Sequence, residues 1–435
     1  MLWQGAFWIT FAAVATETAE AFGVSTAWVN ALSLSYLVFY APGTLLAAAA
    51  ARRLGLRRTV LIGAAANSLA GVLRWTAVLL LRNSTHRRSA AFALLLLGQS
   101  VAALAQPIFT NLPARVASTW FASTAEAMAA AAMSNSLGIA IGQVVPPLVV
   151  VRQGQAEEGD VTGFSPMLGA QGAVAIAGLA AAALLFGDQP KYPPTAAEGA
   201  RRAAPRESIA EALAALRRDT ARLLSDVPYL VLLGAFGVGL GAFNAILTLV
   251  EQWVGTAGYG SEQAGAFGGI LIGGGLSATV AAAVALDKTR AYSAIVRGWF
   301  AYALLMSLGV VLVLRPGQAV LVGAAFFGLG TGFVPILTCC FEATAAHTYP
   351  VNEEVSTGLL MLTGQLTGIG FTAALTRLIE LHPSYTGTVW TPVNICFLSI
   401  AVLCAALAQL FHGSDMRGRG SSDGPNERDR LLSSA

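Results

Sequence analysis

Residues 228–254 read PYLVLLGAFGVGLGAFNAILTLVEQWV. They carry a single formal charge, Glu251, near the far end. A helix needs roughly 20 apolar residues to cross a bilayer whose hydrocarbon core is about 30 Å thick, and this stretch exceeds that length. Working outward, five more apolar runs follow, at about 262–286, 293–314, 318–345, 355–379 and 391–412. Upstream lies a polar, Pro-rich and basic break, 188–227. Six runs precede it, at about 2–22, 28–51, 59–81, 90–112, 124–150 and 167–187. The expectation is an all-α membrane protein of about twelve spans. A six-helix bundle (1–187) is followed by a linker (188–227), a second six-helix bundle (228–412) and a polar tail (413–435).

Composition agrees. Of 435 residues, 55% are hydrophobic and 11% charged, against roughly 25% charged in soluble domains. Mean hydropathy is +0.65. A soluble enzyme and a disordered chain are excluded. The net charge of +3 is too small for a nucleic-acid footprint. Cys339, Cys340, Cys396 and Cys404 lie in apolar runs and read as small core residues. None has metal-ligand spacing with a histidine, so no metal or cofactor is expected. His86, His347, His382 and His412 are scattered, and no HExxH, Walker loop or GxSxG occurs. No enzyme activity is expected.

The first run is short. Residues 2–15 are largely apolar, about 21 Å of helix, and Glu17 and Glu20 follow at once. There is no basic n-region, so the run reads as a span rather than a cleaved leader. Either Thr16 to Glu20 continue the helix beside a polar cavity, or its first turns precede residue 1.

Basic residues set the orientation. With both termini and the linker cytoplasmic, inside loops hold 18 Lys and Arg and outside loops 6, the bias expected of a polytopic protein. The cluster Arg82, Arg87 and Arg88 is the local violation. Within the linker, ESIAEALAALRRDTARLLS (207–225) repeats Ile209, Leu213, Leu216 and Leu224 at near-helical spacing beside Arg217, Arg218 and Arg222. It reads as an amphipathic helix, on the inner membrane surface or solvated.

Ionisable residues inside spans are costly and usually functional. Glu17, Glu20, Arg74, Glu251 and Glu342 qualify. They read as gates or ion pairs, or as proton-coupling carboxylates. Glu251 lies toward the outer end of its span, where it can face water. Asn135 and Ser136 form a polar pair within a span. Gln106 precedes Pro107, and Gln365 lies among Gly364, Gly368 and Gly370. Each amide serves helix packing or binds a solute.

Several blocks carry a family resemblance: Trp8-Ile9-Thr10-Phe11 through Glu20-Ala21-Phe22; Trp28-Val29-Asn30 with Ser33-Leu34-Ser35-Tyr36; Asn67-Ser68-Leu69-Ala70-Gly71 before Arg74; and Gly98-Gln99 through Gln106 to Leu112-Pro113-Ala114-Arg115. The second half adds Gly241-Ala242-Phe243, Thr248-Leu249-Val250-Glu251-Gln252, Leu286-Asp287-Lys288-Thr289-Arg290 and Glu342 to Gln365. Over nearly its whole length the chain resembles the feline leukaemia virus subgroup C receptor-related (FLVCR) family of the major facilitator superfamily, and its less-characterised paralogues more than the choline or haem carriers.

The resemblance implies transport by alternating access between two six-helix halves. Members are linked to choline and ethanolamine, haem and pyridoxine. In the choline-handling members an aromatic pair cradles the quaternary ammonium and glutamines fix the other end. By motif, the first-helix tryptophan is Trp8, the fourth-helix glutamine Gln106 and the eleventh-helix glutamine Gln365. The seventh-helix tyrosine position holds Asn244. A quaternary ammonium offers no hydrogen bonds and needs π faces, worth about 2 kcal/mol when desolvated. Asn244 supplies none, so choline is disfavoured unless Tyr36 or Trp253 compensates. Gly55-Leu56-Arg57-Arg58 and Asp287-Lys288-Thr289-Arg290 resemble the facilitator inter-helix loop signature, which makes Arg57, Arg58, Asp287 and Arg290 gating candidates, or simply topology-setting charge.

The favoured expectation is a facilitative carrier of a small amine. A proton-coupled endolysosomal carrier of a pyridoxine-like or haem-like solute is the alternative, and a non-transporting receptor with the same fold is a third. The partners expected are a small-molecule substrate and membrane lipid. The tail ends Glu427-Arg428-Asp429-Arg430-Leu431-Leu432, an acidic dileucine pattern that docks on a clathrin adaptor in eukaryotes. It points to the endosome or lysosome as well as the plasma membrane.

Overall fold

The computed structural model describes residues 1–83, 85–121, 124–153, 163–195, 198–199, 209–351 and 353–413. The first run is not one helix. It comprises α1 (Leu2–Ile9), a 3-10 turn (Ala12–Val14) and α2 (Ala15–Phe22). Then come α3 (Thr26–Leu54), α4 (Leu56–Asn83), α5 (Arg88–Asn111), α6 (Pro113–Trp120), α7 (Thr124–Gln153) and α8 (Phe164–Leu185). After the linker helix α9 (Ile209–Leu223) come α10 (Val227–Gly255), α11 (Ser261–Thr289), α12 (Tyr292–Val313), α13 (Ala319–His347), α14 (Glu353–Leu381) and α15 (Pro392–Gln409).

Among the described residues, eleven helical segments are long and apolar enough to cross a membrane. The broken first segment completes the bundle. Leu184 and Leu185 are each 84% exposed, and Leu45, Val280 and Val320 are exposed as well. Large apolar side chains spread over an outer wall suit lipid contact.

Local signals fix several ends. Asp226 accepts from the Tyr229 N–H at 3.1 Å and caps α10, and Thr391 caps α15 through the Asn394 N–H. Such caps satisfy donors that have no partner within the helix. Gly23 ends α2 at φ 64, in the left-handed region that glycine enters without steric cost. Pro42, Pro107, Pro146, Pro147 and Pro335 lie inside helices, which neighbouring helices tolerate in a membrane bundle.

Packing divides the helices into two bundles. In the first, α4 packs on α5 and α8, α3 on α5, and α1 on α7. In the second, α11 packs on α13, α10 on α14 and α15, and α12 on α13. The bundles meet where α7 crosses α11, where α3 crosses α14, and where the 3-10 turn touches α10. The α7–α11 crossing is made by small residues. A Cβ on Gly265 would lie 2.5 Å from the Gln143 carbonyl oxygen, and one on Gly269 the same distance from Val144 Cγ2.

Over its described part the linker forms the helix Ile209–Leu223; residues 207 and 208 lie outside the described residues. Leu223 is buried in a small core with Tyr229 and Val351, so the end of α9 docks on the second bundle. Leu216 and Leu224 remain exposed. Glu427, Leu431 and Leu432 lie outside the described residues.

Candidate substrate site

The break in the first helix is built by its neighbours. Between Ile9 and Ala15 the chain contains neither proline nor glycine. Val14 leaves the helical region (φ −136, ψ 40). A broken helix frees carbonyl groups that need donors. Gln99 Nε2 donates to the Phe7 carbonyl at 3.0 Å, and the Ser33 hydroxyl to the Trp8 carbonyl at 3.4 Å. The Thr10 hydroxyl donates back to Ala6 at 2.7 Å and accepts from Gln171 at 3.2 Å. α1 lies close against α7 because Gly5, Gly138 and Gly142 leave no room for a Cβ, a small-residue contact common between membrane helices.

Arg74 braces the same break. It is 1% exposed. Its guanidinium lies 4.3 Å from the Phe7 ring centroid and 5.1 Å from that of Phe11, within cation–π range. Its three nitrogens have no hydrogen-bond partner among the described residues. Among the described residues Arg74 therefore has no hydrogen-bonded ion-pair partner; it is a cation held against two rings that bracket Trp8 in sequence.

Trp8 and Tyr36 are buried in one core cluster with Phe7. Trp8 Nε1 and the Tyr36 hydroxyl have no hydrogen-bond partner among the described residues. Gln106 is half-buried on α5, with its Oε1 buried and unpartnered among the described residues. Asn135 and Ser136 are half-buried on α7. From the second bundle, Asn244 Nδ2 donates to Gln365 Oε1 at 3.4 Å, both residues buried. Gly368, beside them, is where α3 approaches: a Cβ there would lie 3.1 Å from Leu37 and 3.3 Å from Asn244 Nδ2. Among the described residues no hydrogen bond joins Trp8, Tyr36, Gln106, Asn135 or Ser136 to the Asn244–Gln365 pair. Trp253 is committed elsewhere. Its Nε1 donates to Asn394 at 2.7 Å, and its ring lies 4.8 Å from that of Phe397.

The charged candidates sort differently from expectation. Glu251 does not face water. It is buried at 7% exposure and accepts from the Thr16 hydroxyl at 2.7 Å, across the two bundles. Glu17 accepts from the Ser261 hydroxyl at 2.5 Å, also across them. Glu20 and Glu342 are exposed. Arg57, a gating candidate or simply topology-setting charge by sequence, bonds within the first bundle and the start of the linker: its N–H donates to Asp188 and its Nη2 to the Ala183 carbonyl, both at 2.9 Å. Arg58 is exposed. Arg290 is exposed and ends α11 at φ 49; the Asp287 side chain lies outside what the structure describes.

One cluster between the bundles escapes sequence reasoning. Asn30 Nδ2 donates to Gln252 Oε1 at 3.1 Å and to the Thr376 hydroxyl at 3.0 Å. Gln252 Nε2 returns a bond to Asn30 Oδ1 at 2.6 Å. Gln143 Nε2 reaches the Leu247 carbonyl at 2.9 Å. Together with the Thr16–Glu251 and Glu17–Ser261 bonds, these contacts sit near the start of α3 and α11 and toward the ends of α7, α10 and α14. One end of the bundle is thus stitched shut. The available signal was the recurrence of lone amides in apolar runs, but not their pairing.

The model of the Major Facilitator Superfamily matches residues 2–373. Solute carrier family 49 member A3 of Xenopus tropicalis is 31% identical over 409 residues, 92% of this chain and 81% of that one. The choline/ethanolamine transporter FLVCR2 of Homo sapiens is 28% identical over 422 residues, 94% of this chain and 74% of that one. Among solved structures, an inward-facing, unoccupied bacterial homolog of the human lysosomal transporter Spinster superposes with a TM-score of 0.70 at 14% identity, covering 94% of each chain. The partially occluded, inward-open xylose transporter XylE of E. coli gives 0.67 at 13% identity, covering 96% of each. These establish an integral multi-pass membrane transporter of small solutes, not an enzyme. The chain belongs to the FLVCR family of the Major Facilitator Superfamily.

Proposed function

We propose that the chain carries a small primary amine, ethanolamine-like rather than choline-like, across its membrane by alternating access and without a coupling ion. Trp8, Tyr36, Gln106, Asn244 and Gln365 form the binding face, with Asn135 and Ser136 beside it. The observation that carries this reading is the buried, unpartnered Oε1 of Gln106. A buried acceptor left without a donor costs about 1–3 kcal/mol. A primary ammonium brings three N–H donors and recovers that cost. A trimethylammonium brings none and needs π faces, which the Asn244–Gln365 amide pair does not supply. The choline/ethanolamine relatives support the amine class.

The two bundles, 1–187 and 228–412, rock about this face, and the linker 188–227 and tail 413–435 are cytoplasmic. The excess of basic residues supports that orientation. In it the stitched end is outside, and the conformation faces inward. Arg58, Asp287 and Arg290 act at the inner ends during rocking. The acidic dileucine Glu427, Leu431 and Leu432 recruits a clathrin adaptor and routes the protein between plasma membrane and endolysosome.

The test is thermal stabilisation of the purified protein by ethanolamine, choline, pyridoxine and haem, with Gln106→Ala and Trp8→Ala alongside. Ethanolamine is expected to give the largest shift, lost in both variants. A choline shift equal to that of ethanolamine rejects the amine preference. No shift and no flux with any of the four favours the receptor alternative.

One observation favours a second reading. Glu251 is buried and its Oε2 has no partner among the described residues, which suits a proton-carrying carboxylate in an endolysosomal carrier. Flux that follows an imposed pH gradient would select it.

A further inference from the structure

A groove of about 430 Å³ opens on the outer wall of the first bundle, between α4 and α8. Its lining residues are Trp75, Arg82, Ser165, Pro166, Gly169 and Ala170. Of the eleven spans, α8 is the least buried. Trp75 is 41% exposed, and Arg82 is exposed. We propose that this groove is a specific site for one glycerophospholipid of the leaflet at the stitched end: its phosphate rests on Arg82 and the first turn of α8, and an ester carbonyl accepts from the Trp75 indole N–H.

Four observations converge. First, the volume falls within the roughly 300–1,000 Å³ of ordinary ligand pockets, and the wall around it is apolar. Leu69 and Val72 on α4 and Val174 on α8, farther along the two lining helices, are exposed, a path for acyl chains. Second, the donors at the groove are unspent. Trp75 Nε1, the Arg82 guanidinium and the Ser165 hydroxyl make no hydrogen bond among the described residues. Third, α8 begins at Gly163 without a side-chain cap, so the first N–H groups of a 22-residue helix present a partial positive charge. Fourth, Arg82 belongs to the basic cluster that breaks the charge rule on its side of the membrane. Holding a lipid phosphate gives a basic residue a task there.

The depths match. Arg82 stands in the last turn of α4, and Trp75 lies seven residues deeper, about 10 Å at 1.5 Å per residue. The interfacial zone between phosphate and hydrocarbon is roughly 5–8 Å on each side. Gly169 makes the space: a Cβ there would lie 3.1 Å from Trp75 Nε1, so a larger side chain closes the groove over the indole donor.

Native mass spectrometry of the full chain in detergent, titrated with dioleoyl phosphatidylglycerol, reads the site. The wild type is expected to retain one lipid more strongly than the rest. Arg82→Gln should weaken that first binding about tenfold, as loss of a charge-assisted bond does. Gly169→Leu should abolish it, and Trp75→Phe should weaken it. Arg82 is exposed, so its variant keeps the fold, which an unchanged melting temperature verifies. Retention unchanged in both Arg82→Gln and Gly169→Leu overturns the proposal. So does equal retention of dioleoylglycerol, which lacks phosphate, or displacement of the lipid by soluble glycerol 3-phosphate at equal concentration.

Discussion

Asn30 and Gln252, 222 residues apart, clasp each other through both halves of their amides, at 2.6 and 3.1 Å, and Asn30 also reaches Thr376 at 3.0 Å. All three are buried, and they belong to opposite bundles. In the proposed alternating-access cycle the clasp must break for this end to open, so its energy would count in the balance between the two states.

Asn30→Ala removes three of these bonds at once. Each is worth roughly 1 kcal/mol net, and a shift of about 1.4 kcal/mol is tenfold in a population ratio. The variant is expected to move the equilibrium at least tenfold toward the form open at this end. Pulsed electron resonance between spin labels at Ser25 and Gly260, both exposed, measures it. A distance distribution identical to that of the parent would show that the clasp does not hold the gate.

Glu251 separates the facilitative and proton-coupled readings. Glu251→Gln keeps an oxygen for the Thr16 hydroxyl, which now bonds the carboxylate at 2.7 Å, and removes the titrating group. For a facilitative carrier, flux should stay within about fivefold of wild type, the equivalent of ~1 kcal/mol for one hydrogen bond. Uptake into proteoliposomes with and without a pH gradient is the measurement. Abolished uptake, with a gradient response in the parent, would establish proton coupling.

Asn244 offers a gain-of-function test. In Asn244→Tyr a phenol face replaces the amide beside Gln365, and the 3.4 Å amide pair is broken. Choline should compete against labelled ethanolamine about 3–30-fold better, the span of a cation–π contact of roughly 0.5–2 kcal/mol. Choline competition no stronger than in the parent would mean that residue 244 does not touch the ammonium group.

What the sequence reveals here follows the range of each signal. Apolar length is a local property, so the eleven long spans were legible within a few residues. The first segment was legible only in part. Its shortness and its early carboxylates announced something unusual, but the break at Thr10 to Val14 has no proline or glycine to mark it. It exists because Gln99, Ser33 and Gln171, from three other helices, hold its backbone and Thr10. Arg74 shows the same limit. A charge in a span was plain to read, yet its contact with Phe7 and Phe11 joins residues more than sixty positions apart. Glu251 was misjudged because its position near a helix end implied water, whereas the first segment folds over it. The amide pairing of Asn244 with Gln365 was likewise unreadable, although each residue was identified singly.

Gly142 tests whether the close contact of α1 with α7 governs the candidate site. A Cβ there would lie 2.6 Å from Ile9 Cγ2 and 2.8 Å from the Ala6 carbonyl oxygen. Backbone cannot swing aside as a flexible side chain can, so α1 must move outward. Overpacking of this kind costs typically about 1–3 kcal/mol. Gly142→Ala is therefore expected to lower the melting temperature. It should also displace Trp8, which stands between Ala6 and Ile9 in sequence and whose carbonyl rests on Ser33. Ethanolamine binding should fall several-fold more in Gly142→Ala than in Gly178→Ala, a glycine on α8 where an added methyl group would meet nothing within 4 Å. Scanning calorimetry and ligand titration on the two variants decide it. A stable Gly142→Ala protein with unchanged affinity would place the solute away from the broken helix.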